Sequence, residues 1–255
     1  MDGSVVATAT RLKLRGGDLV IRTVGSGPRI GYLHGMVGSP EGHPFLDALA
    51  DTGREVVAPC LPGFTGSDPN DQMRSLFDWV SATSEVIDLA GLTGHHIVAS
   101  SIGAMLALEL AAIRPEAFSA LTLIAPLGLW DDNDPVADAW ATTLSHQRSM
   151  LTADAAATEA FFDRNTVDDN MARYYSRTAA AALMWPIPEF GLSDRLHRVS
   201  CPVTLIWGES DELVPVSYLD RFRTVLTNVV ATHIVSGAGH HAEWDAPGLV
   251  AALIR

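Results

Sequence analysis

His96-Ile97-Val98-Ala99-Ser100-Ser101-Ile102-Gly103-Ala104-Met105-Leu106 runs an apolar strand into a serine, a glycine two positions on, and an unbroken apolar helix. A tight strand-turn-helix bend of this kind lifts one serine hydroxyl out of the sheet, a strained placement that benefits a nucleophile which substrate and base must both reach. The frame is that of Gly-x-Ser-x-Gly with Ala99 at the first glycine position, and it makes Ser101 the candidate nucleophile. Shifting the frame to Ser100 would put Ile102 where a small residue must let the helix pass close to the strand. An ordinary strand-helix turn with two surface serines is the plainer alternative, so the elbow has to be weighed with the rest of the chain.

The chain of 255 residues is within the range of one large α/β domain, and a hydrophobic content of 47% is ample for a buried core. A formal net charge of -13, with Lys13 the only lysine, argues against nucleic acid or an anionic membrane as partner, because both require clustered cations. Cys60 and Cys201 have no metal-ligand spacing and read as buried thiols. The start Met1-Asp2-Gly3-Ser4-Val5 lacks a basic segment followed by an apolar one, and no apolar stretch reaches the ~20 residues that span a bilayer. A cytoplasmic protein acting on a small molecule is expected, with its oligomeric state left open.

Working outward from the elbow, strands and helices alternate. Thr10 to Arg15 and Asp18 to Val24 read as a hairpin about Gly16-Gly17, followed by strands Arg29 to Leu33 and Glu55 to Pro59 with a helix from Pro44 to Thr52 between them. A helix over Ser75 to Ala90 precedes the elbow strand, and Pro115 ends the elbow helix. After a strand at Leu121 to Ala125 the alternation stops until Val203 to Trp207. It then resumes with a helix Ser217 to Leu226, a strand Thr232 to Val235 and a helix Gly248 to Ile254. This pattern predicts a mostly parallel sheet covered on both faces, with functional groups at the carboxyl ends of the strands. The interruption predicts an inserted helical cap over 127–197, dividing the core into 1–126 and 198–255.

A serine hydroxyl is a weak nucleophile at neutral pH, so it needs a general base and the base needs a carboxylate. In Trp207-Gly208-Glu209-Ser210-Asp211-Glu212-Leu213-Val214-Pro215 three acids follow a strand, and Asp211 holds the Gly-x-x-Asp-x-x-x-Pro frame. Glu209 and Glu212 read as solvated; Asp131 or Asp132, after the preceding strand, is the other candidate acid. In Gly237-Ala238-Gly239-His240-His241-Ala242-Glu243-Trp244 small residues let a loop fold over the site, making His240 the candidate base and His241 a pocket neighbour. An oxyanion needs two backbone donors, expected from Ile102 at the helix start and from Met36 in His34-Gly35-Met36-Val37-Gly38. No cofactor and no metal are implied.

In the order Leu33-His34-Gly35, Leu61-Pro62-Gly63-Phe64-Thr65-Gly66-Ser67, Ser100-Ser101-Ile102-Gly103, Gly208-Glu209-Ser210-Asp211 and Gly239-His240, the chain resembles the α/β-hydrolase superfamily. The resemblance implies an α/β-hydrolase fold with an eight-stranded, mostly parallel sheet. It also implies a Ser101, Asp211, His240 triad and a lid from about Leu127 to His197. Members with a carboxylate nucleophile are set aside by Ser101.

The tail Gly239-His240-His241-Ala242-Glu243-Trp244-Asp245 is similar to the Gly-His-Trp-Ala-Gln-Trp-Glu run of the meta-cleavage-product hydrolases. It differs from them at His241, and the chain has Ser100 where they often have asparagine. Hydrolysis of a small aryl or short-acyl ester therefore stands first in this reading. Carbon-carbon hydrolysis is the alternative, and a slow or non-catalytic small-ligand receptor keeps the same residues. His34, Gly35, Ser100, Trp130, Trp185 and His241 are expected to contact substrate. Other cap aromatics (Trp140, Phe161, Phe162, Tyr174, Tyr175) suit either a pocket wall or packing. Arg173 and Arg177, four apart on a predicted helix, suit a substrate carboxylate, although Asp169 stands at ion-pair spacing from Arg173.

Overall fold

The computed structural model describes residues 8–14, 16–68, 72–154 and 167–255. Met1 to Val5, Arg15, Phe161, Phe162 and the side chain of Asp169 lie outside the described residues. The strands are β1 (Thr8–Leu14), β2 (Gly17–Gly25), β3 (Arg29–Leu33), β4 (Glu55–Pro59), β5 (His95–Ser100), β6 (Phe118–Ile124), β7 (Val203–Gly208) and β8 (Val229–Val235). They form one sheet in the order β1-β2-β4-β3-β5-β6-β7-β8. The β1/β2 and β2/β4 pairs are antiparallel and all pairs from β4 through β3 to β8 are parallel.

Both faces of the parallel part are covered, and the period of two along each strand assigns its residues to one face or the other. Leu33, Val57, Ile97, Ala99, Leu121, Leu123, Leu205 and Trp207 join one core with the helices α2 (Leu76–Leu89) and α3 (Ser101–Ile113). Ile30, Tyr32, Val56, Ala58, Val98, Ile124 and Ile206 join the other, against α1 (Pro44–Ala50) and the closing helix. Helix α3 is apolar all round because it is enclosed all round, which is why its sequence shows no polar stripe. It ends at Arg114, whose extended φ of -134° is the conformation that Pro115 imposes on the residue before it. Helix α2 begins at Ser75, whose side chain accepts from the Asp78 N–H.

Between β6 and β7 the chain leaves the sheet. Its described part carries α4 (Leu144–Leu151), α5 (Val167–Met184) and two single turns, Leu192–Asp194 and Leu196–Arg198. Helix α5 is tied to the loop after β4: the Thr65 N–H donates to Ser176 Oγ at 3.0 Å, and Thr65 Oγ1 to the Ala172 carbonyl at 3.2 Å. On the return to β7, Arg195 grips the buried Glu109 of α3 through Nε at 2.9 Å and Nη2 at 2.6 Å.

Helix α6 (Tyr218–Val225) joins β7 to β8. The closing helix is two pieces, α7 (Ala242–Asp245) and α8 (Pro247–Leu253), broken at Ala246 because Pro247 forbids a helical residue before it. Strand β8 starts three residues earlier than its apolar run suggested, its outer positions being exposed at the sheet edge.

Candidate active site

The elbow is built by three backbone demands. Ser100 closes β5 in extended conformation, and Ser101 then turns with φ of 54°, a left-handed value that costs a residue other than glycine on the order of 1–3 kcal/mol. Gly103 carries the third demand: a Cβ there would stand 2.4 Å from the His34 carbonyl oxygen and 2.7 Å from that of Leu33. Only glycine lets α3 leave the sheet this close to the end of β3. Ala99, at the position where the usual motif has glycine, is accommodated fully buried within β5.

Ser101 Oγ lies 2.7 Å from His240 Nε2, and His240 Nδ1 lies 2.9 Å from Asp211 Oδ2. The Asp211 Oδ1 accepts the Leu213 and Val214 N–H groups at 2.9 and 2.8 Å. The carboxylate is thus fixed by its own turn and holds the imidazole proton on Nδ1, leaving Nε2 to accept from the serine. All three side chains are enclosed. The other candidate acids face away: Asp131 pairs with Arg221 and accepts the Asn133 N–H, while Asp132 accepts from Trp130 Nε1 at 2.9 Å. Glu209, read as solvated, is exposed, and from there it pins the approach to the histidine loop, accepting Ser236 Oγ at 2.6 Å.

That loop is also fastened to the chain after α4. The Asp245 carboxylate accepts N–H groups from Gly239 at 2.7 Å, Ala153 at 3.0 Å and Asp154 at 2.9 Å. The His241 N–H donates to the Leu151 carbonyl at 2.8 Å.

Three of the residues expected at the substrate have other work. His34 accepts the Leu61 N–H on Nε2 at 2.9 Å and gives its Nδ1 proton to the Gly35 carbonyl, and burial lowers its pKa to about 4. It is a neutral bridge between two loops. Ser100 Oγ and His241 Nδ1 face one another at 3.3 Å in a buried chain that continues to Glu243. Trp130 is held by Asp132, and Trp185 is 60% exposed, its ring turned to solvent. An amphipathic aromatic in a cap reads the same in sequence whether it lines a pocket or a surface, and here the surface reading applies to Trp185.

A cavity of about 580 Å³ opens between Met36, Val37 and the helices α4 and α5. Its wall holds Arg148, Arg173 and Arg177 with Asn170, Gln147, Trp140 and Tyr174, and no carboxylate among the described lining residues. Arg177 donates to Gln147 Oε1 at 2.9 Å, and Arg173 donates to Asn170. None of His34, Gly35, Ser100, Trp130, Trp185 or His241 lines it; Met36 does, and it adjoins Gly35, which packs against Ser101. Trp140 and Tyr174, named among the aromatics that suit a pocket wall or packing, line it; Arg148 and Gln147 were not singled out by the sequence, because they share no motif and meet only through the fold.

The family model of the alpha/beta hydrolase family matches residues 32–253. A 2-hydroxy-6-oxononadienedioate/2-hydroxy-6-oxononatrienedioate hydrolase of Pseudomonas putida is 26% identical, covering 90% of this chain and 84% of its own. The solved 2-hydroxy-6-oxo-6-phenylhexa-2,4-dienoate hydrolase of Rhodococcus sp. strain RHA1 superposes with a TM-score of 0.78 at 17% identity, over 98% of each chain. A membrane phospholipase A superposes with a TM-score of 0.79 at 18% identity, over 97% of this chain and 84% of its own. At those identities the two structures speak for the fold alone. Among the described residues no helix is long and apolar enough to cross a membrane. With the family model spanning nearly the whole chain, and the elbow serine, the histidine loop and the eight-stranded sheet in place, the protein belongs to the alpha/beta hydrolase family.

Proposed function

We propose that this protein hydrolyses a carbon-carbon bond in a 2-hydroxy-6-oxo-dienoate, with 127–197 acting as the cap over the site. The observation that carries the reading is the cavity wall, which three arginines line in a chain of net charge -13. Such a wall suits a substrate that carries a carboxylate beside an apolar or aryl arm. The names of the curated relatives, dienoate and dienedioate hydrolases, support the same choice. The order of preference drawn from sequence, ester first, is thereby reversed: a neutral ester gives these cations nothing to hold.

Breaking the bond between C5 and C6 leaves an electron pair on C5. In the dienol that pair has no acceptor. Once the enol proton moves to C5, C2 becomes a ketone conjugated through C3 and C4, and the pair can pass into it. Arg148, Arg173 and Arg177 hold the carboxylate and the C2 oxygen through this change.

Ser101 Oγ then attacks C6 while His240 Nε2 takes its proton, and the Ile102 and Met36 N–H groups receive the oxyanion. Collapse breaks C5–C6, giving an acyl-Ser101 and a dienolate that takes the proton back from His240 on its C2 oxygen and leaves as 2-hydroxypenta-2,4-dienoate. Water, deprotonated by His240, releases the acid. Asp211 keeps the imidazole in the required tautomer throughout.

The test is to supply 2-hydroxy-6-oxo-6-phenylhexa-2,4-dienoate and follow the loss of its visible absorbance together with both products. Equimolar benzoate and 2-hydroxypenta-2,4-dienoate are expected. Binding without turnover would instead mark a receptor, and consumption without benzoate would rule out this cleavage.

A further inference from the structure

Arg177 reaches from α5 along the cavity wall to α4, where its Nη1 donates to Gln147 Oε1 at 2.9 Å. Among the described residues it pairs with no carboxylate, in a chain that carries a net charge of -13. A guanidinium whose partner is neutral keeps its charge and its remaining N–H donors for a ligand. Arg173 is held differently, by Asn170 on its own helix.

Gln147 is only 8% exposed, and both ends of its amide are engaged. Its Nε2 donates to the Ala139 carbonyl at 2.9 Å while its Oε1 accepts from Arg177. A carbonyl only accepts and a guanidinium only donates, so a single orientation of the amide satisfies both. Reversing it would set oxygen against oxygen and nitrogen against nitrogen. The side chain therefore determines where the guanidinium lies as well as joining two helices.

The anchor of that amide is itself fixed. Asp138 Oδ1 accepts the Trp140 and Ala141 N–H groups at 2.8 and 3.1 Å, which holds the turn that presents the Ala139 carbonyl. Just before it, the Ala137 N–H donates to the Leu213 carbonyl at 2.9 Å, and the Leu213 N–H donates to Asp211 Oδ1 at 2.9 Å. Gln147 is thus placed from the turn that carries the triad acid and not from α5. On α5, Ser176 is 2% exposed and accepts the Thr65 N–H at 3.0 Å, fixing the backbone next to Arg177. A long side chain held at both base and head has little freedom left to lose when it grips a ligand.

We infer that Gln147 is a positioning residue: it holds the Arg177 guanidinium in the orientation that grips the ligand carboxylate, at a place set from the Asp211 turn. This assignment rests on the reading of the cavity as a carboxylate site, and not on which bond is broken. A tether between α4 and α5 would serve Arg173 and Arg177 alike, since both stand on α5. An orienting bond serves Arg177 alone.

The test uses hexa-2,4-dienoate and its neutral amide, hexa-2,4-dienamide, with Kd for each taken from ligand-observed NMR titrations of the whole protein. The wild type is expected to hold the dienoate more tightly than the amide. Gln147→Met, similar in length and without the amide, is expected to weaken the dienoate about tenfold and the amide less than about twofold. With Arg177→Gln already present, Gln147→Met should weaken the dienoate by less than about twofold; with Arg173→Gln present, the loss of about tenfold should remain. An equal loss for both probes, or the same loss in every background, makes Gln147 a tether and overturns the proposal. If Gln147→Met does not fold, Gln147→Glu decides. Its carboxylate keeps a bond to Arg177 but occupies the charge, so the preference for the dienoate should vanish, and a retained preference overturns the proposal. A wild type without that preference overturns the carboxylate reading of the cavity, and this assignment with it.

Discussion

Gly35 and Ser101 stand so close that a methyl group on the glycine would meet the serine Cβ at 3.0 Å and His241 Cε1 at 2.3 Å. The loop after β3 is therefore seated directly on the nucleophile. Gly35→Ala is expected to cost about 1–3 kcal/mol of stability through overpacking and to slow phosphonate labelling of Ser101 at least about tenfold. Gly248→Ala, where a Cβ meets nothing within 4 Å, should change neither. Urea denaturation and labelling rates on the two variants check this.

Ser101→Ala should abolish phosphonate labelling and turnover, while Ser100→Ala should still be labelled, with the adduct mapped to Ser101. Asp211→Asn loses the acceptor that fixes the His240 proton on Nδ1, so turnover should fall on the order of 10³- to 10⁴-fold with the fold intact. An undiminished Asp211→Asn protein would return the role to the loop bearing Asp131 and Asp132.

Arg177→Gln and Arg173→Gln should each raise KM for a dienoate about 10- to 100-fold, the range for a lost charged hydrogen bond, and leave a neutral p-nitrophenyl ester unaffected. Equal effects on both substrates would assign these side chains to the packing of α5 rather than to the carboxylate.

Stability should depend on acid in two stages. His34, His43 and His96 have folded pKa values of about 4, 3 and 4, chiefly through burial, against ~6.5 when unfolded. The unfolded chain then binds more protons as pH falls from about 6.5 toward 4, so stability declines across that window. Glu243, held at about 2, contributes stability that is present above its unfolded value and lost as pH falls from about 4.5 to 2. The urea midpoint should be level above pH 7, fall below 6.5 and fall further below 4.5. His96→Gln should flatten the first stage.

Arg195→Ala strips the Glu109 carboxylate, itself 3% exposed, of both its guanidinium bonds. Because Arg195 is partly solvated, the loss is set at about 2 kcal/mol, or a Tm lower by about 4–8 °C for a domain of this size. Thermal melts of Arg195→Ala and Arg195→Lys check it, the lysine recovering only part.

Where the chain obeys one local rule, its sequence reads directly. Arg29 to Leu33 and Glu55 to Pro59 are buried parallel strands with turn residues on both sides, and their limits coincide with β3 and β4. Ser101, Asp211 and His240 were legible because each follows a strand in a fixed frame. Gly103 was legible as a small residue, but only the fold shows the Leu33 and His34 carbonyls it avoids. Burial decided the rest. His34 and His241 carry the right chemistry for substrate contact, yet both ring nitrogens of His34 are spent on the Leu61 N–H and the Gly35 carbonyl, and Nδ1 of His241 faces Glu243 and Ser100. Trp185 faces water and Arg148 faces the cavity, distinctions set by packing between distant segments that no local pattern records.

Cleavage of a carbon-carbon bond in an anionic dienone by Ser101 is the proposal on which the mechanism depends. The most direct measurement is kcat/KM of the wild type for 2-hydroxy-6-oxo-6-phenylhexa-2,4-dienoate beside that for a p-nitrophenyl ester series, each repeated with Ser101→Ala. The dienone is expected to be consumed far more efficiently than any ester, and Ser101→Ala to end both reactions. Efficient ester turnover with an untouched dienone, or dienone cleavage that survives Ser101→Ala, would contradict it.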